Sequence, residues 1–201
     1  MSTLGACEGS RPAGTRRPDW YPRCVGTFEI RMFGDPVLRQ RAREVTELDG
    51  ELARLVNTMI ETMHDAQGVG LAAPQVGVQK RLYTYDVGEG PGVLVNPEIV
   101  EASGEWVYDE GCLSVPGLSF EITRPKTVTV RGIDLDGTEV VLEGDELMGR
   151  LIQHEIDHLD GVLLLDRLDA AERKAALREL RRRELDGTLT ATIGRNGDHR
   201  L

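Results

Sequence analysis

Two histidines four residues apart, with a glutamate beside the first, are the residues of this chain best suited to chemistry. Residues 153 to 161 read Gln-His-Glu-Ile-Asp-His-Leu-Asp-Gly, which places His154 and His158 one helical turn apart. On a helix, that spacing puts both imidazoles on one face, where they can bind the same metal ion. Leu147 and Leu151 continue this face toward the N-terminus, which indicates that it is the buried face. The motif therefore predicts a metal site inside the protein, and two hydrogen-bonded core histidines are the alternative.

A catalytic ion needs a further ligand, because such sites usually combine three protein ligands with one position for water. A histidine six residues after His158 would complete one known pattern, but that position is Leu164. Glu179 lies at about the distance at which a glutamate completes another pattern, although it stands among arginines in a segment that looks solvated. Cys112 is the other candidate, because a thiolate is a good ligand for first-row metals. A lone cysteine is more often a small core residue, so the residues alone leave this choice open.

Residues 68 to 75 supply a further motif, Gly-Val-Gly-Leu-Ala-Ala-Pro-Gln. Together with Glu-Gly-Cys-Leu-Ser at residues 110 to 114 and with the histidine motif, it resembles the three ordered signature motifs of peptide deformylases. The similarity of pattern extends from about Ile30 to Leu168. The resemblance implies a metal-dependent amide hydrolase that removes the N-formyl group from N-formylmethionine of nascent polypeptides and releases formate.

The resemblance also implies roles for individual residues. The implied metal ligands are Cys112, His154 and His158, and the implied catalytic residues are Glu155, Gln75 and, through its backbone N–H, Leu113. The substrate-binding residues are predicted to be Val69, Gly70, Tyr108, Glu110, Gly111, Arg124, Leu147 and Leu151. The family usually uses one ferrous ion, for which zinc, nickel or cobalt can substitute. The residues themselves indicate only a first-row divalent ion with cysteine and histidine ligands.

Two arginines lie between the second and the third of these motifs. Arg150 lies one turn before His154, where an apolar pocket for a methionine side chain would need an aliphatic residue. We therefore expect its guanidinium to extend toward the mouth of the pocket. Arg124 is predicted to hold the peptide backbone of the substrate, and a surface arginine without a role is the alternative.

Helices and strands along the chain must position these motifs. Apolar residues at helical spacing predict helices over residues 49–67 and 145–159, and a third after Asp169, where Glu172 completes a capping box. Strand patterns cover residues 81–87, 93–95, 106–108, 126–133 and 139–142, the last two joined by a turn at Asp136-Gly137. We expect an α+β fold of mainly antiparallel sheets around a central helix that carries the His-Glu-x-x-His motif, plus a C-terminal helix.

Length and composition limit the possible classes of protein. The chain has 201 residues, of which 40% are hydrophobic, and this suits one ordinary core. We expect a flexible extension over residues 1–26, a single metallohydrolase domain over residues 27–185 and a disordered tail over residues 186–201. Neither a long apolar run nor a secretory signal is found, so we expect a cytoplasmic protein without a membrane partner. Three cysteines are too few for a disulfide framework.

Charge is distributed unevenly along the chain. The formal net charge of -10 argues against a protein that coats DNA, because phosphate neutralisation requires a basic face. The predicted last helix is nevertheless basic, with Arg173, Lys174, Arg178, Arg181, Arg182 and Arg183. This segment is either an amphipathic helix with a solvated face or a contact with ribosomal RNA near the peptide exit, which the resemblance also suggests. A non-catalytic ribosome-associated factor that keeps its metal for stability is the alternative from another class.

Overall fold

The computed structural model describes residues 26–187, which form an α+β fold. The helices are α1 (Gly50–Asp65), α2 (Glu146–Leu159) and α3 (Ala170–Leu185). The strands are β1 (Gly70–Ala72), β2 (Leu82–Tyr85), β3 (Gly92–Ser103), β4 (Trp106–Cys112), β5 (Val115–Arg124), β6 (Thr127–Ile133) and β7 (Glu139–Asp145). Short 3-10 helices span Pro36–Arg39, Ala73–Val76 and Leu164–Asp166. The predicted α+β class with antiparallel sheets is confirmed.

The strands form two antiparallel sheets. Five strands pair in the order β1-β2-β3-β6-β7, and β4 and β5 form a separate two-stranded hairpin. Pairing between β4 and β5 is regular from Trp106 onward, and its register shifts between Gly111 and Cys112. The regular ladder of this hairpin therefore ends where the Glu-Gly-Cys-Leu-Ser segment turns back.

Local sequence signals explain where the helices begin and end. Asp49 accepts hydrogen bonds from the backbone N–H groups of Glu51 and Leu52, so it caps α1. Asp169 caps α3 through the predicted capping box with Glu172. After α2, Gly161 has a φ of +75°, a left-handed conformation that glycine adopts without steric cost. These three signals fix the helix bounds more closely than hydrophobic periodicity does.

Three clusters of buried side chains form the core. The apolar face of α1 packs on β1 and β2, and α2 covers the other part of the five-stranded sheet. A smaller cluster joins Cys112 to β5 and to α3, which contributes Ala176 and Leu180. The C-terminal helix α3 therefore packs against the hairpin that carries Cys112.

Two strands were not predicted from the sequence, and one is much longer than predicted. β1 has only three residues, and β5 has a proline and a glycine directly after its first residue, so neither gives a clear strand pattern. β3 continues past Asn96, which has a φ of +50°, and past Pro97, where the register with β6 shifts. A bulge of this kind interrupts the alternation on which a strand prediction depends.

Parts of the predicted organisation lie outside the described residues. The extension over residues 1–26 and the tail over residues 186–201 fall almost entirely there, so the proposed division of the chain stays a prediction. Within residues 26–187, no helix is both long enough and apolar enough to span a membrane.

Candidate metal centre

Three side chains from two distant segments converge in the interior. Cys112 ends β4, whereas His154 and His158 lie on α2, and all three are buried. Their ligand atoms lie within 4.8 Å of one another. The sulfur of Cys112 is 3.2 Å from Nε2 of His158. A thiolate and two imidazoles at this spacing suit a first-row divalent metal ion.

The hydrogen bonds of the two rings test whether these residues fit a metal ion. Nδ1 of His154 lies 2.7 Å from Oε1 of Glu110, a contact that directs Nε2 toward the cluster. This Nε2 is buried and has no hydrogen-bond partner among the described residues. Buried polar atoms normally have partners, so an unpartnered ring nitrogen beside a thiol is what a metal ligand requires. The residues therefore fit a metal ion.

The surroundings act differently on the two imidazoles. Burial lowers the pKa of His158 well below its usual value, which favours the neutral ring that binds metals. Burial also opposes the charged form of His154, but Cys112 and Glu110 outweigh it and raise its pKa. A divalent cation competes with that proton, so metal binding at this site is expected to release protons.

Glu155 lies beside the first histidine with its carboxylate fully buried. Neither of its carboxylate oxygens has a hydrogen-bond partner among the described residues. Burial raises the pKa of Glu155 to about 7. A carboxyl group in this range can both accept and return a proton near neutral pH. A Cβ atom at Gly70 would lie 2.9 Å from Cδ and 3.2 Å from Cγ of Glu155, so the absence of a side chain at residue 70 makes room for this carboxylate.

Gln75 presents the donor end of its amide to the ligand cluster. Its Oε1 accepts a hydrogen bond of 2.8 Å from the backbone N–H of Ala72. Its Nε2 therefore faces the other way, 3.3 Å from Oγ of Ser114 and 3.9 Å from Sγ of Cys112. Gln75 is fully buried, so this orientation is held from both ends.

The glycine motif also lies against the segment after Cys112. A Cβ atom at Gly68 would be 2.8 Å from Cδ1 of Leu113. Leu113 itself follows Cys112 in a turn and is mostly buried. Gly68 thus contacts the second motif and Gly70 the third, so the fold brings the three sequence motifs together.

A network of buried ion pairs surrounds Glu110, the hydrogen-bond partner of His154. Glu110 is fully buried, and its carboxylate accepts hydrogen bonds from Nε and Nη2 of Arg124 at 2.7 and 2.6 Å. Nη1 of Arg150 donates to the same carboxylate at 2.6 Å. Burial raises the pKa of Glu110, but the hydrogen bonds from Arg124 and His154 outweigh it, so the pKa is well below its usual value. Glu110 is therefore ionised and can hold the ring of His154.

One of the two arginine predictions needs correction. Arg150 is 1% exposed, so the prediction that its guanidinium extends toward the pocket mouth is wrong. Arg124 is also buried, and its third nitrogen donates to Asp157 at 2.9 Å. The physical reason is the buried carboxylate of Glu110, which requires cationic partners where water cannot reach it. The side chains of Glu110 and Arg124 therefore bind each other and support His154, and their predicted contact with a substrate stays a prediction.

The remaining predicted substrate-binding residues lie on β4, on α2 and next to β1. Val69 and Leu151 belong to one buried cluster, and Leu147 packs against it. Gly111 is buried beside Cys112, whereas Tyr108 is 47% exposed on β4. Their contacts with a substrate stay predictions.

Comparison with known proteins identifies the family. Residues 27–174 match the family described as polypeptide deformylase. The chain belongs to the polypeptide deformylase family. A peptide deformylase of Acidothermus cellulolyticus is 52% identical to it over 158 residues, which cover 79% of this chain and 88% of the relative. A peptide deformylase of Thermotoga neapolitana is 50% identical over 147 residues, which cover 73% and 90%.

Solved structures of the family show the same fold. The crystal structure of a peptide deformylase from Legionella pneumophila superposes with a TM-score of 0.78 at 40% identity, covering 82% of this chain and 99% of the other. Peptide deformylase from Thermotoga maritima gives a TM-score of 0.70 at 46% identity, covering 72% and 99%.

Sequence reasoning missed several residues that support the centre in this member of the polypeptide deformylase family. Asp157 accepts hydrogen bonds from Arg124 and from Nε of Arg167, and Ser114 lies beside the amide of Gln75. Asp157 lies within the histidine motif and Ser114 within the Glu-Gly-Cys-Leu-Ser motif. Their position in these motifs is the only sequence signal that could have indicated a role for them. Glu179, the alternative third ligand, instead accepts hydrogen bonds from neighbouring arginines of α3.

Proposed function

We propose that this chain hydrolyses the N-formyl group of N-formylmethionine at the start of nascent polypeptides and releases formate. The observation that supports the proposal best is the convergence of Cys112, His154 and His158 beside the buried Glu155. These three residues are the proposed ligands of one divalent ion. Membership of the polypeptide deformylase family gives the reaction.

A divalent ion held by Cys112, His154 and His158 would supply a Lewis acid for the formyl oxygen and would lower the pKa of water to about 7. Glu155 accepts the proton of the attacking water and returns it to the leaving amine, a transfer suited to its pKa of about 7. The Nε2–H group of Gln75 and the backbone N–H of Leu113 stabilise the negative charge that develops on the formyl oxygen. An amide donor suits this role because it does not titrate.

The apolar pocket for the methionine side chain is the second part of the proposal. We assign it to Val69, Gly70, Tyr108, Gly111, Leu147 and Leu151. Val69 and Leu151 share one buried cluster, and Leu151 lies on α2 one turn before Glu155. Such a lining favours an apolar side chain over a polar one, because apolar surface on both sides leaves water on binding.

Ferrous iron is the proposed physiological metal, with zinc, nickel or cobalt as substitutes. Ferrous iron and a thiolate ligand are both open to oxidation. We therefore expect the activity of the iron-loaded protein to decay in air, whereas the zinc-loaded protein should keep its activity. Parallel storage of the two forms with and without oxygen measures this difference, and equal decay would contradict it.

The decisive experiment combines anaerobic purification, metal quantification and an assay for formate release from formyl-methionyl peptides. Cys112→Ser is expected to lose both the metal and the activity. Glu179→Ala is the matched control, because this carboxylate pairs with Arg182 and Arg183 on α3, and it should keep both. If Cys112→Ser keeps the metal and Glu179→Ala loses it, the proposed ligand set is overturned.

We also propose that the exposed basic face of α3 contacts ribosomal RNA in the cytoplasm, where formylated chains are made. Arg178 and Arg181 are exposed, whereas Ala176 and Leu180 pack against the cluster that contains Cys112. Substitution is therefore a better test than deletion of the helix. The double variant Arg178→Glu and Arg181→Glu should bind ribosomes more weakly and with a smaller salt dependence, while formate release from short peptides is unchanged. Unchanged ribosome binding would contradict this part.

A further inference from the structure

Arg150 is a buried arginine that contacts backbone carbonyl groups and aromatic rings in addition to a carboxylate. Its Nη1 donates to Oε2 of Glu110 at 2.6 Å. Its Nη2 donates to the backbone carbonyl oxygens of Trp106 at 3.1 Å and Ile122 at 2.9 Å. These carbonyls belong to β4 and β5, so one side chain of α2 holds both strands of the hairpin.

The same guanidinium lies against two aromatic rings. Its central carbon is 4.9 Å from the ring centroid of Trp106 and 5.9 Å from that of Tyr108. The two rings stack on each other with centroids 4.6 Å apart and an interplanar angle of 13°. A desolvated guanidinium under stacked rings is an energetically favourable cation–π arrangement. We call the Trp106–Tyr108 pair the aromatic wall.

Strand periodicity explains how one arginine reaches the wall and the metal centre together. Trp106, Tyr108 and Glu110 are spaced by two along β4, so their side chains point to the same face of the strand. Arg150 contacts all three side chains. At the far end of this row, Glu110 holds Nδ1 of His154 at 2.7 Å.

Charge balance alone does not require Arg150. Arg124 already gives Glu110 a bidentate partner through Nε and Nη2. Arg124 and Arg167 also neutralise Asp157. An aliphatic side chain would fill the same volume without the desolvation cost of a buried guanidinium. A second arginine at this carboxylate therefore points to a role that involves the wall.

We propose that Arg150 is a positioning residue that joins the aromatic wall to the Glu110–His154 pair, so that one side chain sets both the methionine pocket and a metal ligand. The pocket part rests on the proposed function, in which Tyr108 lines the methionine site. The structural link itself does not depend on that function, and the two can be tested separately.

Zinc-loaded protein in a Trp20→Phe background tests the link without substrate. The chain has two tryptophans, so Trp106 is then the only one and its fluorescence reports on the wall. Arg150→Met, which keeps an unbranched apolar stem but removes the guanidinium, should change the emission of Trp106. It should also raise the Kd for zinc about tenfold, the lower end of the effect of losing a supporting partner, because Arg124 remains. Arg131→Met removes an exposed partner of Glu98 and should change neither value.

Steady-state kinetics test the pocket. Arg150→Met at saturating zinc should lower kcat/KM for a formyl-methionyl peptide about tenfold more than for a formyl-alanyl peptide, with most of the change in KM. Arg150→Lys keeps the charge but lacks the planar fork. The Kd of Arg150→Lys for zinc should therefore equal that of the wild type, whereas its preference for the formyl-methionyl peptide should still be reduced. Arg150→Lys also serves as the test if Arg150→Met does not fold.

The outcomes separate the two proposals. The positioning role is overturned if Arg150→Met keeps the wild-type fluorescence, zinc affinity and methionine preference. It is also overturned if only one of these three properties changes. For Arg150→Lys, an unchanged methionine preference would do the same. If the wild-type protein releases no formate from any formylated peptide, the proposed function fails, while the fluorescence and zinc affinity still decide the structural link.

Discussion

Replacing Gly70 by alanine tests whether the glycine motif positions the carboxylate of Glu155. Gly70 does not have a positive φ, so alanine can adopt its backbone conformation. The only predicted difficulty is steric, because the new Cβ would lie 2.9 Å from Cδ of Glu155 and 3.2 Å from Cγ. The nearer carboxylate oxygen would be closer still. Glu155 is thus the side chain that must move.

The size of the displacement sets the size of the effect. Ordinary carbon contacts begin at 3.4 Å, so Cδ must retreat by at least about 0.5 Å and by roughly 1 Å for a relaxed contact. A misplacement of about 1 Å at a reacting group costs about 100-fold in rate. We therefore expect kcat for formate release to fall between about 10-fold and 100-fold, or about 1.4 to 2.7 kcal/mol of barrier.

The assay compares Gly70→Ala with Gly50→Ala. Gly50 is the first residue of α1, and a Cβ there would meet only Nη1 of Arg54 at 3.6 Å, an ordinary contact. Metal content of both variants should match the wild type, which separates displacement of Glu155 from loss of the centre, whereas the Tm of Gly70→Ala should fall because a buried side chain is displaced. Gly50→Ala should also keep the wild-type kcat.

A double variant decides whether the effect passes through Glu155. Glu155→Gln keeps the size of the side chain but removes its acid–base function, so it should retain the metal and lose about 100-fold or more in kcat. Adding Gly70→Ala should then have no further effect, because the displaced group no longer transfers a proton. A further loss of 10-fold or more in the double variant would refute the reasoning.

Other predictions concern the residues around this carboxylate. Gln75→Leu should lower kcat by about 100- to 1,000-fold with the metal retained, and a change of less than about threefold would contradict its donor role. Glu110→Gln leaves Arg124 and Arg150 without their buried anion, so urea unfolding should show a loss of about 3 kcal/mol; unchanged stability would show that the network is not ionised. For Asp166, burial opposes ionisation, but hydrogen bonds from Arg39 and the Leu163 N–H outweigh it and lower the pKa. Its stabilisation is therefore complete above the unfolded pKa of about 4 and is lost as the pH falls below it. The Tm difference between wild type and Asp166→Asn should shrink over that range, and a difference independent of pH would exclude this carboxylate as its source.

Features that depend on a few neighbouring residues could be predicted from the sequence. The caps at Asp49 and Asp169 are local hydrogen-bond patterns, and both are present. The pair His154 and His158 is likewise defined by helical spacing alone. The choice of Cys112 as their companion was left open by the residues, because it depends on a contact between segments 42 residues apart in the chain.

The orientation of Arg150 shows why the rest could not be predicted. Helical spacing places it on the face of His154, and an arginine there is expected to reach for water. It points inward because Glu110, on a hairpin 40 residues earlier, presents a buried carboxylate. No local pattern indicates that a carboxylate of β4 will be enclosed by α2 and β5. The supporting roles of Asp157 and Arg124 escaped prediction for the same reason.

The packing of α3 on the cluster around Cys112 has a consequence for biosynthesis. Ala176 and Leu180 cover a cysteine that lies more than 60 residues earlier in the chain. While the protein is being translated, this cluster lacks the side chains of α3 until that helix has emerged and docked. We therefore expect the apoprotein to acquire its ion only after synthesis has passed α3, so that maturation of the centre is a late event in the life of each molecule.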